Sequence, residues 1–388
     1  MKKYVILIPF HNPWTWHTDY ANQTAVILSR TQIVVCFLWG DTVSLWELLR
    51  RRRIYRPIVR QDNLWKVQPL FLLPGKRIFA IQLVNIFLNI LFVHILCSGI
   101  ALWHARTNLF WFFGYYDPAF IILPPFFRHW KTIYDCVDIA THPNQRLARH
   151  IRTSEAHLLE YAWIVIVNSQ TLRDKIRTKR PDVYTVPLGF RMDMFRRPKH
   201  YTSGYTGRRP VVGYIGSIDY RLDFTVLLSV INNRPDWQFM LVGPIFYDHL
   251  SAAKRHTMET ILRLPNVTHD NVEPSMIPSV LSQFSVALIP YDMTIPLSKY
   301  AYPMKIMEYF YAQKPVVSAP IDELLRFAPL IRFARSRTEW DHSIHTALIH
   351  PMTTAQKHLA VSIARQNSWE EKVAAVMTFI SAQSGRNS

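Results

Sequence analysis

The 388-residue chain predicts an α/β protein built from two doubly wound, largely parallel sheets, one in each half. Two observations carry this. Short runs apolar on both faces, such as "YVILI", "QIVVCFL" and "WIVIVNS", alternate with helix-like segments. That is the pattern of parallel strands covered on both sides by helices. The rhythm then restarts after "RPKHYTSGYTGRRP" (197–210), a polar, basic, turn-rich stretch that reads as a linker. The length of the chain also favours two domains.

Taken in order, residues 4–8 form the first expected strand. Two lysines precede this apolar run, but it is short and no small-residue cleavage site follows, so a signal peptide is the weaker reading. "LFWFF", "KTIYDC" and "DVYTVP" continue the strands, with helices expected from Ala21 and over 153–161. Residues 46–77 are basic and aromatic. Residues 78–103 then contain no Lys, Arg, Asp or Glu, a run long enough to cross a bilayer. Within it, Gln82, Asn85 and Asn89 would share one helical stripe, and Ser98 and Gly99 interrupt the apolar pattern. The expectation is therefore an amphipathic helix over about 78–97. It either packs beneath a sheet or lies in a membrane interface beside the basic cluster. In the second half "VVGYIGS", "WQFMLVG", "NVTHD", "SVALIPY" and "KPVVSAP" are the expected strands. The expected domains are 1–197 and 198–366, with a C-terminal helix over 367–388 packing back toward the first.

The 45 Lys and Arg against 27 Asp and Glu leave a formal charge of +18. Such a balance favours an anionic partner: phosphate, nucleic acid or an acidic membrane surface. The arginines at 50–53 could touch nucleic-acid phosphates, but no recognisable binding module surrounds them, so no nucleic-acid partner is expected. Cys36, Cys97 and Cys136 are widely spaced and form no CxxC pair, which argues against a disulfide framework or a structural zinc site. The histidines show no tight ligand spacing, and no metal site is expected.

The stretch "AYPMKIMEYFYAQKPVVSAP" (301–320) carries the sharpest local signal. Pro303 suits the first turn of a helix that starts beyond the strand "SVALIPY", at the strand end where open α/β sheets bind ligands. Lys305 would add a charge to the free N–H groups there, and Glu308 would lie on the same face one turn further on. That layout suits a diphosphate followed by a sugar diol. It equally suits an ordinary i,i+3 ion pair.

Several motifs in order resemble the C-terminal domain of group 1, family 4-like glycosyltransferases of the GT-B fold. They are "GYIGSIDYRLDFTVLLSVINNRPDWQFMLVGP", "LPNVTHDNVEPSMIPSVLSQFSVALIPY" and "YPMKIMEYFYAQKPVVSAP". In the first half "YDCVD", "NSQTL" and "VPLGFRMDMF" resemble further pieces of the same pattern. The resemblance implies two Rossmann-like domains facing across a cleft. It implies transfer of a sugar from a nucleotide-diphosphate sugar, usually a UDP-sugar, to a saccharide or lipid-linked acceptor in cell-surface polysaccharide or glycolipid synthesis. No cofactor or metal beyond the donor is implied, because helix ends and basic side chains stabilise the leaving diphosphate. The alternative is a catalytically inactive GT-B protein that binds sugar or serves as a scaffold.

Carried over residue by residue, Glu308 would hold the nucleotide ribose and Lys305 would lie near the diphosphate. Gly216 fits the first loop, Arg221 would add a cation, Gly243 would border the base, and Tyr291 and Asp292 would line the donor pocket. Many relatives carry a second glutamate where this chain has Tyr300, and a glycine where it has Lys314. In the first half, Asp138 of "YDCVD" resembles an aspartate that acts as general base in some GT-B enzymes, with Asp135 the lesser candidate; either could instead be a turn or N-cap aspartate. His11 is an alternative acid or base, and Trp14 and Trp16 could stack on a sugar or pack in place. The basic region 46–77 and the helix after it would bring the protein to the cytoplasmic face of an anionic membrane.

Overall fold

The computed structural model describes residues 3–10, 14, 20–50, 54–73, 78–113, 129–137, 145–196, 199–200 and 207–386. The chain divides into two compact units, Met1–Pro187 with Lys372–Ser388, and Leu188–Glu371. Residues 188–197 thus fall in the second unit, and most of the stretch read as a linker lies outside the described residues.

The first unit holds strands β1 (Tyr4–Phe10), β2 (Ile33–Leu38), β3 (Val43–Ser44), β4 (Ile58–Gln61), β5 (Leu64–Val67), β6 (Leu70–Phe71), β7 (Thr107–Phe113), β8 (Lys131–Cys136), β9 (Ile164–Val167) and β10 (Val183–Thr185). Eight of them form one sheet in the order β10-β9-β8-β7-β1-β2-β5-β4, parallel except for β4 at the edge. β1, β2 and β9 are buried at every position, as strands covered on both faces must be. β3 and β6 pair separately as a parallel ribbon, Val43 with Leu70 and Ser44 with Phe71. The three strands of the 46–77 region, β4, β5 and β6, were not expected from the sequence, because they are short and β4 and β6 are mostly exposed or half-buried and show no apolar run.

The long apolar segment forms one helix, Phe79–Trp103, six residues longer than expected at its C-terminal end. Ser98 and Gly99 do not break it: a Cβ at Gly99 would meet nothing within 4 Å, so the glycine marks an open face rather than a turn. Ile90, Val93, Cys97, Ile100 and Ala101 pack into the core of the unit with Val5, Leu7, Phe110 and Phe112 of the sheet. The polar stripe also points inward. Asn85 accepts from Leu73 N and donates to Leu73 O, both at 3.0 Å; Asn89 accepts from Leu70 N at 2.9 Å and donates to Leu70 O at 2.8 Å. Each amide thus pairs with both polar groups of one backbone residue, replacing the partners a strand neighbour would supply.

The C-terminal helix, Trp369–Arg386, runs from the second unit into the first. Its Lys372 reaches Asp135 at 3.2 Å, and Trp111 Nε1 donates to the same carboxylate at 3.3 Å. Both charged side chains are sealed from solvent, at 1% and 0% exposure.

The second unit holds six parallel strands: β11 (Val211–Ile215), β12 (Gln238–Val242), β13 (Val267–Asp270), β14 (Val286–Ile289), β15 (Val316–Ser318) and β16 (Ile331–Phe333). Their order, β13-β12-β11-β14-β15-β16, is the doubly wound 3-2-1-4-5-6 arrangement, with its switch point between β11 and β14.

Candidate functional site

Every described candidate of the second unit lies beyond the C-terminal end of β11, β12 or β14, around the switch point. Gly216 follows β11 with φ +118°, and Gly243 follows β12 with φ +141°. Gly243 packs on Gly216 itself: a Cβ there would come within 2.2 Å of Gly216 O. Its carbonyl meets His269 Nε2 at 2.9 Å. Gly243 therefore serves first to let two loops touch.

Lys305 and Glu308 stand on the helix Lys305–Tyr311. Pro303 precedes this helix instead of opening it, a shift within ordinary end variation. The helix has only seven residues, so the charge at its start is chiefly that of Lys305. Tyr309, fully buried, fixes its position: the hydroxyl accepts from Ile215 N of β11 and donates to Leu288 O of β14, both at 3.1 Å. The helix is thus bolted to the two strands that flank the switch point.

The Lys305 ammonium turns toward Gly216, not Glu308. A Cβ at Gly216 would lie 2.7 Å from Nζ. Nζ donates to the Tyr214 hydroxyl at 2.7 Å and lies 4.0 Å from the Tyr214 ring centre and 5.3 Å from that of Tyr291. Among the described residues neither Lys305 nor Glu308 forms an ion pair, so the i,i+3 pair left open by the sequence does not form. Both are half-buried by exposure, yet protein atoms crowd their charged ends. Burial, helped by the like charge of Arg221, pushes the lysine down to about 7. Burial pushes the Glu308 carboxyl up to about 7, against the pull of Lys305.

Arg221 is held by a buried partner that the sequence did not single out. Asp219 accepts from Arg221 Nε at 3.0 Å and from its Nη2 at 2.6 Å. The loop carrying both is stapled by Lys254, which donates to Tyr220 O, to Leu222 O and, at 2.8 Å, to Asp292 Oδ2. Asp292 also accepts from Thr294 N and Oγ1, and its own N donates to Arg221 O at 2.7 Å. Burial works to raise the Asp292 carboxyl, but the bonds from Lys254 and Thr294 hold it below its ordinary range. Asp292 is thus a strut of the loop, while Tyr291 borders the lysine directly. Tyr214, Asp219, Lys254 and Tyr309 are the residues missed; a tyrosine in the strand "VVGYI" and another just after Glu308 were the available signals.

Asp138, His11 and Trp16 lie outside the described residues. Asp135 does not follow a strand end: it is inside β8, neutralised by Lys372, and is no candidate base. Trp14 is packed, with its backbone N–H donating to Asp41 Oδ2 and the Lys66 ammonium 4.4 Å from its ring centre. A separate cavity of about 440 Å³ lies at the opposite ends of β15 and β16, lined by Pro315, Arg332 and His350 among others. It shares no residue with the switch-point site, and the side-chain chemistry favours the latter. Among the described residues no group of three or more His, Cys, Asp or Glu is placed to hold a metal.

No family model matches the chain. It is 25% identical over 291 residues, 69% of this chain and 71% of the relative, to a putative teichuronic acid biosynthesis glycosyltransferase, TuaH, of Bacillus subtilis. Its fold matches sucrose-phosphate synthase of Thermosynechococcus elongatus with a TM-score of 0.69 at 15% identity, covering all of both chains. It also matches HepE of Anabaena, solved with UDP and glucose, with a TM-score of 0.67 at 14% identity over 97% of this chain and 100% of that one. A glycosyltransferase of Rickettsia africae matches with a TM-score of 0.67 at 10% identity over 99% of each. The chain thus has the GT-B fold, and the sequence relative and the structural neighbours are glycosyltransferases.

Proposed function

We propose that the protein transfers a sugar from a UDP-sugar to a saccharide or lipid-linked saccharide acceptor in cell-surface polysaccharide or glycolipid synthesis, at the cytoplasmic face of a membrane. One observation carries the donor half of this reading. At the switch point a lysine ammonium lies beneath a loop glycine, and neither it nor Glu308, one turn away, has an ion-pair partner among the described residues. A diphosphate oxygen would supply the missing anion, and a ribose diol would donate to the carboxylate. Arg221, with Asp219 fixing its plane, offers a second cation to the leaving diphosphate. The UDP held by HepE and the pathway of TuaH support the donor and the acceptor class respectively. Asp138 is the proposed base for the acceptor hydroxyl, with His11 the alternative.

Calorimetric titration with UDP tests the donor site. Lys305→Met and Glu308→Gln should both weaken binding, and unchanged affinity in both would remove the assignment. Transfer should persist in excess EDTA, since two side chains already answer the leaving charge; loss of activity restored by a divalent cation would refute metal independence. Tyr300, where a glutamate is usual, favours the rival reading of an inactive sugar-binding protein. Release of UDP from a UDP-sugar in the presence of acceptor separates the two.

A further inference from the structure

We propose that the outward face of the helix Phe79–Trp103, continued by the residues at the end of the β3–β6 ribbon, is a docking surface for an anionic lipid bilayer. A helix resting on a sheet normally turns charged residues outward. This one has no Lys, Arg, Asp or Glu anywhere along it. With Asn85 and Asn89 bonded inward, its outward stripe is Val84, Leu88, Phe92, Ile95, Leu102 and Trp103, at the three- and four-residue spacing of one face. Ile95 is 61% exposed, and Leu102 and Trp103 exceed 85%. A contiguous apolar face of this kind marks a contact surface.

The ribbon extends it. β3 and β6 run parallel, so the chain leaves both at the same end. There the short helix Leu45–Leu49 exposes Leu45, Trp46 and Leu49, while Leu72 and Leu73 are exposed beyond β6. Asn85 ties Leu73 to the long helix, which joins the two apolar faces.

Charge selects the occupant. Residues 50–77 contain nine Lys and Arg and a single carboxylate, Asp62, and no further acidic residue occurs before Asp117. Arg50 lies 4.4 Å over the exposed Trp46 ring, and Arg56 and Arg60 are exposed. The nearest other carboxylate, Glu47, is consumed by the capping box with Ser44. Apolar burial flanked by cations and indole rings is what an anionic bilayer interface rewards. The helix lies on the bilayer and does not cross it: crossing would strip Ile90, Val93 and Cys97 from the core and break the four amide bonds of Asn85 and Asn89 to Leu73 and Leu70.

This inference rests on the membrane-face location in the proposed function but on neither its donor nor its chemistry, so its test uses neither donor nor acceptor. The full-length protein is sedimented with phosphatidylcholine vesicles with and without phosphatidylglycerol. Wild type should partition onto the anionic vesicles. Ile95→Glu, and separately Leu102→Ser with Trp103→Ser, should each weaken partition about tenfold or more. Arg56→Gln with Arg60→Gln should weaken it at low salt only. Thermal stabilisation by UDP, kept in every variant, shows that folding and the donor site are intact; its absence in wild type would sink the donor reading and leave this one standing. The proposal is overturned by no vesicle binding, by binding indifferent to these substitutions, by resistance to carbonate extraction, which would indicate a span, or by light scattering that shows the face occupied by a second copy.

Discussion

Two lysines taken largely out of water divide the molecule by purpose. Lys372 meets Asp135 inside the first unit, and Trp111 completes the carboxylate's partners, so the charges cancel. Lys305 in the second unit meets two tyrosines and a glycine but, among the described residues, no carboxylate, and burial lowers its pKa to about 7. A closed pair belongs to the fold. An open one is a cost that the fold alone does not justify, and it points to a ligand.

Substitutions should separate the two sharply. Lys372→Met leaves Asp135 buried and unpaired, and should destabilise by about 3–5 kcal/mol, read as a lower midpoint in urea. Adding Asp135→Asn should recover most of it; no recovery would mean that packing, not charge, holds the C-terminal helix. Lys305→Met should leave stability equal or higher while lowering UDP affinity about 10- to 100-fold, the worth of one charged hydrogen bond. A large loss of stability would break the comparison by making this lysine structural too. Glu308→Gln should cost about tenfold in UDP affinity.

The smallest effect is the most diagnostic. The lowered lysine disfavours folding where only the unfolded chain is protonated, so its contribution to stability is full above its ordinary range near 10.5 and is lost as pH falls to about 7. The raised Glu308 acts in the opposite sense: its contribution is full below about 4.5 and is lost as pH rises through about 7. The unliganded protein should therefore show a dip in stability near neutrality, absent in the Lys305→Met, Glu308→Gln double variant. UDP binding should take up protons just above pH 7 and weaken toward pH 9, and Lys305→Met should flatten that dependence.

Strand positions in the second unit were legible because apolar runs bounded by Gly, Pro and Asp leave few alternatives. "WQFMLVG" and "SVALIPY" could hardly be anything but buried strands. The placement of Lys305 and Glu308 on one helix after β14 was legible for a different reason: their spacing is a local property. The tyrosines around them were not. Tyr214 is ninety-one residues from Lys305 along the chain, and only the pairing of β11 with β14 brings them together.

The sequence by itself thus determined the alternation of strands and helices, the two-unit plan and the basic, apolar character of the 46–103 region, all consequences of composition and short-range periodicity. It did not determine direction. The stripe of Gln82, Asn85 and Asn89 suggested the helix's wet face, whereas Asn85 and Asn89 bind the backbone of Leu73 and Leu70 and the bare apolar side looks out. Asp135 likewise read as a reactive carboxylate until Lys372, 237 residues away, closed on it. Which face is buried, and which charge is answered, depends on partners distant in sequence, and those exist only once the chain has folded.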